Sequence, residues 1–185
     1  TRTPSSAASD VYKRQAEKDR HHRYLAHLQR DDGLWIQGAM IKYGLARVYS
    51  FPDNRLLIDQ LYELEDLAIG AQKGIWSHPF YSVLQAHEIT GAGAELNNRF
   101  NLVVGEVLSA NRARNRIYLN FGERWAEDFT IVIERKAARL FKAGWIDDLH
   151  QLVGKKIQVR GWTRDENGPM IEVTHPEQLR IYGID

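Results

Sequence analysis

Arg116-Ile-Tyr-Leu-Asn-Phe-Gly122 alternates polar and apolar side chains and ends on glycine. A period of two is that of a strand with one covered face. Ile117, Leu119 and Phe121 are therefore expected in a core, with Arg116, Tyr118 and Asn120 on the opposite side. Four further strand-like runs flank it: Phe100 to Ser109, Asp128 to Glu134, Lys156 to Trp162 and Pro169 to Thr174. In the fourth run Ile157 and Val159 share one phase, while Gln158, Arg160 and Trp162 share the other. A helical stretch at about Lys136 to Ala143 lies between the third and fourth runs, and Asn167-Gly168 supplies turn chemistry between the last two.

Three strands, a helix and two strands is the order of the OB-fold, a small Greek-key barrel. Residues 99–185 are read as such a domain. Its outward phase carries Arg116, Tyr118, Arg160 and Trp162, candidate nucleic-acid contacts because guanidinium groups hold phosphate and aromatic faces stack on bases. The same residues also suit an ordinary barrel exterior or a packing surface. Arg112, Arg114, Arg116 and Arg124 concentrate around the first hairpin and form a candidate phosphate-facing patch.

Upstream, Arg23 to Gln29 reads as a strand, Asp31-Asp32-Gly33 as a reversal and Leu34 to Ile36 as the returning strand. Ile36, Met40 and Tyr43 have helical spacing, with Gly44 placed for a left-handed cap. Pro52-Asp53-Asn54 signals a second helix, whose apolar stripe is Leu57, Leu61, Leu64, Ala68 and Ala71 and which Gly74 stops. A hairpin and two helices give too little sheet to enclose a core, so residues 16–84 read as the C-terminal half of a domain and residues 85–98 as a linker. Residues 1–15 lack periodicity. Asp10-Val-Tyr-Lys-Arg-Gln15 back-translates to GATGTGTATAAGAGACAG, which resembles a transposon-end adapter, so this segment is expected to be foreign.

Lys+Arg 25 against Asp+Glu 24 gives a net charge of +1, which excludes an overall positive field as the source of nucleic-acid affinity. Cys 0 excludes disulfides, thiolate metal sites and cysteine nucleophiles but names no compartment. No apolar run approaches the roughly 20 residues of a membrane helix, and no membrane partner is expected. Gly91-Ala-Gly93-Ala lacks the third glycine and the flanking elements of a dinucleotide loop.

Three stretches resemble the thermonuclease (staphylococcal-nuclease-like) family: Asp19-Arg-His-His-Arg-Tyr-Leu-Ala-His-Leu28, Tyr43-Gly-Leu-Ala-Arg-Val-Tyr49 and Lys73-Gly-Ile-Trp76. The resemblance covers roughly residues 16 to 80. It implies that Arg23 is an active-site arginine contacting the scissile phosphate, where a planar, permanently charged fork stabilises growing negative charge. It also implies calcium as the cofactor of a complete member and DNA or RNA as substrate. The family's Asp ligands, its glutamate base and its first arginine fall before the resemblance begins. No metal ligands are expected in this chain: His21 and His22 point to opposite faces of a strand, and His27 is too far along it to join them. Arg116 to Gly122, Gly161-Trp162 and Gly168 to Leu179 resemble the OB-type domains appended to bacterial thermonuclease-like proteins.

The expected fold class is thus mainly β with α, a partial staphylococcal-nuclease-like barrel followed by a second, five-stranded OB-like barrel. The expected function is that of a fragment of a calcium-dependent nuclease, inactive as given for want of metal ligands and general base. The alternative is a non-catalytic nucleic-acid-binding or scaffold protein with a nuclease-like fold.

Overall fold

The computed structural model describes residues 22–91, 93–124, 126–141 and 148–182. The chain divides into two compact units, Thr1–Pro79 and Phe80–Asp185. The fold is mainly β with α.

In the first unit the Asp31–Gly33 reversal forms as expected, with Arg30 N–H donating to Leu34 O at 2.9 Å. The flanking segments do not become regular strands. Among the described residues their pairing reduces to one antiparallel bridge, Gln29 with Trp35, because Ile36 already begins helix α1 (Ile36–Lys42). Helix α2 spans Ile58–Gly70. The helix signal at Pro52-Asp53-Asn54 is spent on a tight turn, in which Asn54 N–H donates to Phe51 O at 3.1 Å, and Leu57 enters α2 in the left-handed region at φ 60°. The buried stripe is consequently Ile58, Leu61, Tyr62, Glu65 and Ala68, with Leu64 only partly covered and Ala71 exposed. Glu65 is fully buried because its carboxylate accepts the Val48 N–H at 2.7 Å, fixing the chain after α1 to the face of α2. The helix ends at Gln72, whose φ is 50°, rather than at Gly74.

The two glycines of the resembling stretches meet. Gly44 and Gly74 both have positive φ, and Ile75 N–H donates to Gly44 O at 2.9 Å. A Cβ on Gly44 would overlap the Lys73 carbonyl, and one on Gly74 would overlap the Gly44 carbonyl. Backbone thus lies directly on backbone where the ends of α1 and α2 cross.

The second unit is a barrel. Its strands are β1 (Leu84–Gln85), β2 (Phe100–Glu106), β3 (Ser109–Ala113), β4 (Arg116–Asn120), β5 (Thr130–Glu134), β6 (Lys156–Asp165), β7 (Pro169–Val173) and β8 (Leu179–Tyr182). Two short helices accompany them, α3 (Gly93–Leu96) and α4 (Arg135–Ala138). The order β2-β6-β7-β5-β4-β3 closes on itself, since β2 and β3 are joined through Val107 and Leu108 alone. β5 and β7 run parallel and the other pairs of the ring are antiparallel. Counting β2 and β3 as one bent strand, this is the five-stranded order expected of an OB barrel.

The expected first run, Phe100 to Ser109, is divided at the bend. There Val107 N–H donates to Lys155 O at 3.0 Å, while Leu108 N–H donates to Asn120 O at 2.9 Å, so the chain changes partner within two residues. The core holds Ile117, Leu119 and Phe121 as expected, with Ile131, Ile133, Ile157, Val159, Ile171 and Val173. Helix α4 is shorter than the expected Lys136 to Ala143, and the stretch 142–147 lies outside the described residues.

The segment 85–98, expected as a linker, is built into this unit. β1 pairs in parallel with β2, a 3-10 turn covers Ala86–Glu88, and Ala86 and Ile89 belong to the core cluster.

Two expectations follow. Gly44→Ala should destabilise the chain by at least about 1 kcal/mol, since it meets both a left-handed φ and a backbone overlap; an unchanged thermal midpoint would contradict the crossing. A fragment of residues 80–185 should melt cooperatively and exceed one of residues 97–185 by about 2 kcal/mol or more, because the shorter fragment forfeits buried Ile89 and Ala86. Equal denaturant midpoints would contradict it.

Candidate nucleic-acid interface

Arg23 lies on an extended, exposed stretch beside Tyr24, which is 74% exposed. Asp19 and His21 lie outside the described residues. Among the described residues no group of three or more His, Asp or Glu could hold a metal ion. His27 is engaged otherwise: its Nδ1 accepts the Trp35 indole N–H at 3.1 Å, and the rings meet edge to face at 5.4 Å. Burial lowers the pKa of His27 below its ordinary 6.5.

Register fixes the outer surface of the barrel. One transverse row runs Ser109, Asn120, Thr130, Met170, Arg164; the next runs Asn111, Tyr118, Val132, Glu172; a third pairs Ala113, Arg116 and Glu134. Trp162 precedes Thr163, the partner of Ile171, and so continues the second row beyond Glu172. Tyr118 and Trp162 therefore occupy one row, three strand spacings or about 14 Å apart.

The first row is a hydrogen-bonded ladder. Asn120 Nδ2 donates to Ser109 Oγ at 3.0 Å and Thr130 Oγ1 to Asn120 Oδ1 at 3.2 Å. Such amide and hydroxyl groups can exchange partners with the edges of bases. Alternation in the sequence marked Asn120 as outward but gave no means of joining it to Ser109 and Thr130, which lie on other strands.

The four residues expected to touch nucleic acid fare differently. Tyr118 is half-buried and Trp162 is 51% exposed. Arg116 donates to Glu134 at 3.2 Å and lies 3.7 Å from Glu166. Its hydrogen bonds to Tyr118 and Glu134 raise its pKa, so it is a permanent cation shared with two carboxylates. Phosphate would have to compete with both. Arg160 corrects the expectation: it is 1% exposed, since Ile157 to Gly161 is buried on both faces of β6. Its Nη2 lies 3.5 Å from Gln158 Oε1, and its carbonyl accepts the Gln178 amide at 3.0 Å. Alternation gave its phase correctly, but phase is not exposure.

In the basic patch, Arg124 pairs with Glu127 at 2.7 Å, whereas Arg112 and Arg114 are exposed on the β3–β4 hairpin. Sequence reading passed over Arg99 and Phe80. Arg99 Nη2 donates to Phe80 O at 3.0 Å, and its guanidinium carbon lies 4.0 Å from the Phe80 ring centroid. A contact spanning 19 residues of irregular chain leaves no periodic signal.

Residues 5–78 match the family model described as Staphylococcal nuclease homologue. That range contains all three resembling stretches and begins within the segment expected to be foreign, which lies outside the described residues. No curated protein matches the chain. Among solved structures, it is similar to asparaginyl-tRNA synthetase from Pyrococcus horikoshii, with TM-score 0.38 and 15% identity over 55% of this chain and 23% of that one. It is also similar to OBody AM1L10 bound to hen egg-white lysozyme, with TM-score 0.37 and 19% identity over 52% of this chain and 89% of that one. A putative aspartyl-tRNA synthetase from Leishmania major Friedlin gives TM-score 0.35 and 6% identity over 56% and 21%. The chain thus spans less than a quarter of the length of either synthetase.

His27 offers a test of the local geometry. A lowered folded pKa means that its contribution to stability is complete above the ordinary value near 6.5 and is lost as pH falls through the folded value. An NMR titration of the His27 ring should give a midpoint below 6.5, and Trp35→Ala, which uncovers the ring, should move it upward. A midpoint at or above 6.5 in the unaltered chain would contradict the contact.

Proposed function

We propose that this chain is part of a nucleic-acid-processing protein, with a thermonuclease-like unit that contributes Arg23 to phosphodiester hydrolysis and an OB barrel that holds a single strand. The observation that carries the reading is the family match over residues 5–78, which contains Arg23 and both crossing glycines. The barrel adds support through its closed order and its outer row ending in two aromatic side chains.

The division of labour follows from the residues present. Arg23, exposed and always charged, suits a phosphate oxygen as negative charge builds on it. The described residues do not fit a calcium site, having no acidic cluster, so no step is routed through the metal in this chain. When present in a complete family member, calcium would polarise the phosphate and lower the pKa of an attacking water. That same lack of a cluster favours the second reading, a nucleic-acid-binding or scaffold protein that keeps the fold without the chemistry.

The 185-residue chain, incubated with calcium and labelled DNA or RNA, is expected to leave both intact while binding single strands at low salt. Calcium-dependent cleavage abolished by Arg23→Ala would overturn the expected inactivity. In a version extended upstream that does cleave, Arg23→Ala should cost about 3 kcal/mol, roughly a hundredfold in turnover. An unchanged rate there would remove Arg23 from the mechanism.

A further inference from the structure

The start of β2 gathers aromatic rings and a positive charge at one end of the barrel. Arg99 immediately precedes the strand, and its backbone is tied to β6: Thr163 N–H donates to Arg99 O at 2.8 Å, and Asn98 N–H to Thr163 O at 2.9 Å. Asn101 Nδ2 reinforces the tie by donating to Thr163 Oγ1 at 2.8 Å. The strand end is therefore held rigidly. On one phase Arg99 stacks on Phe80, whose ring also meets Tyr81 at 5.0 Å. On the other, Phe100 stands opposite Trp162, with ring centroids 6.1 Å apart and planes inclined by 71°.

Three features separate this from ordinary packing. Phe80 and Trp162 remain 52% and 51% exposed, although large rings at a barrel end gain most by being covered. Arg99 Nε is buried and has no hydrogen-bond partner, and buried donors are nearly always satisfied. No carboxylate lies within ion-pairing distance of Arg99 among the described residues, in contrast to Arg116, Arg124 and Arg164, each of which has one. The charge is thus oriented by its ring and its single carbonyl acceptor but left uncompensated. An anion supplies what is missing, and exposed aromatic faces alongside specify an anion that carries a flat ring.

We propose that the β2 start is a nucleotide-holding platform for single-stranded nucleic acid, with Arg99 pairing a backbone phosphate and Trp162 stacking a base. It deepens the reading of the barrel as a single-strand binder and rests on it. Phe80 and Phe100 act as positioning residues, the first holding the guanidinium plane and the second setting the angle of the indole. The platform lies at the opposite end of the aromatic row from Tyr118, so the two act on different nucleotides of one strand.

The experiment is fluorescence anisotropy of a labelled oligothymidylate with the full chain at several salt concentrations, with melting curves checking that each variant is folded. Trp162→Ala should weaken binding roughly fivefold or more, the range of one lost base stack. Arg99→Gln should reduce the slope of log affinity against log salt by about 0.7, the value of one phosphate contact on a single strand. Arg99→Lys, which keeps the charge, should retain the slope, an outcome that a merely structural role for Arg99 would not produce. Tyr118→Ala serves as the separate probe of the other end. If it weakens binding while the Arg99 and Trp162 variants, folded, bind with unchanged affinity and slope, the platform is refuted and the single-strand reading of the barrel stands. If the unaltered chain binds no oligonucleotide at low salt, both fail, and the exposed rings are a contact for protein instead.

Discussion

Closure of the second unit depends on two residues. Between Glu106 and Ser109 the chain must leave β6 and take up β4, and Val107 and Leu108 do so by sending consecutive N–H groups to Lys155 and Asn120. Val107 is fully buried at that corner, and Gly154 N–H returns a bond to its carbonyl at 2.8 Å. A sheet closed in this way leaves no open edge between β2 and β3 and fixes which phase of every strand faces inward. The apolar core and the outer rows are two consequences of one constraint. Tyr118 and Trp162, more than forty residues apart in sequence, share a row because closure sets the register around the ring.

The outer face is not uniformly a surface. Val132, Met170 and Thr130 lie in outward rows yet are buried, as are Gln158 and Arg160. Exposed chemistry is concentrated instead at the rims: Arg112 and Arg114 on the hairpin, Arg164 beside the turn, and Trp162 with Phe80 near the start of β2. A ligand approaching this barrel meets aromatic rings and guanidinium groups at its margins, with the amide and hydroxyl ladder of Ser109, Asn120 and Thr130 between them. Of the charged groups at the margins, several already have carboxylate partners, so affinity gained there is offset by the pairs that must open.

The barrel was legible in the sequence because strand alternation is local and repeats on five strands. Ile117, Leu119, Ile157 and Val159 declare their phase without knowledge of their partners. What alternation cannot reveal is the cover over the other phase, and Arg160 was misjudged for that reason. The first unit was less legible. Pro52-Asp53-Asn54 carries the chemistry of both a turn and a helix cap, and only the left-handed Leu57 and the Glu65 to Val48 bond decide that the helix starts at Ile58 and buries a carboxylate. Short pieces such as β1 and the edge strand β8 exist only through pairing with β2 and β6, and the Arg99 to Phe80 stack is likewise invisible until the chain is folded. The role of Arg23 came from resemblance alone and remains a proposal.

The most direct test of the account is a backbone nuclear Overhauser measurement on the barrel, read at its two diagnostic seams. Closure predicts a parallel pattern between Ile131 and Ile171 together with an antiparallel pattern between Val103 and Val159 and between Tyr118 and Asn111. An antiparallel pattern between β5 and β7, or contacts from β2 to β6 without those from β3 to β4, would contradict it and dissolve the shared row on which the proposed interface is built.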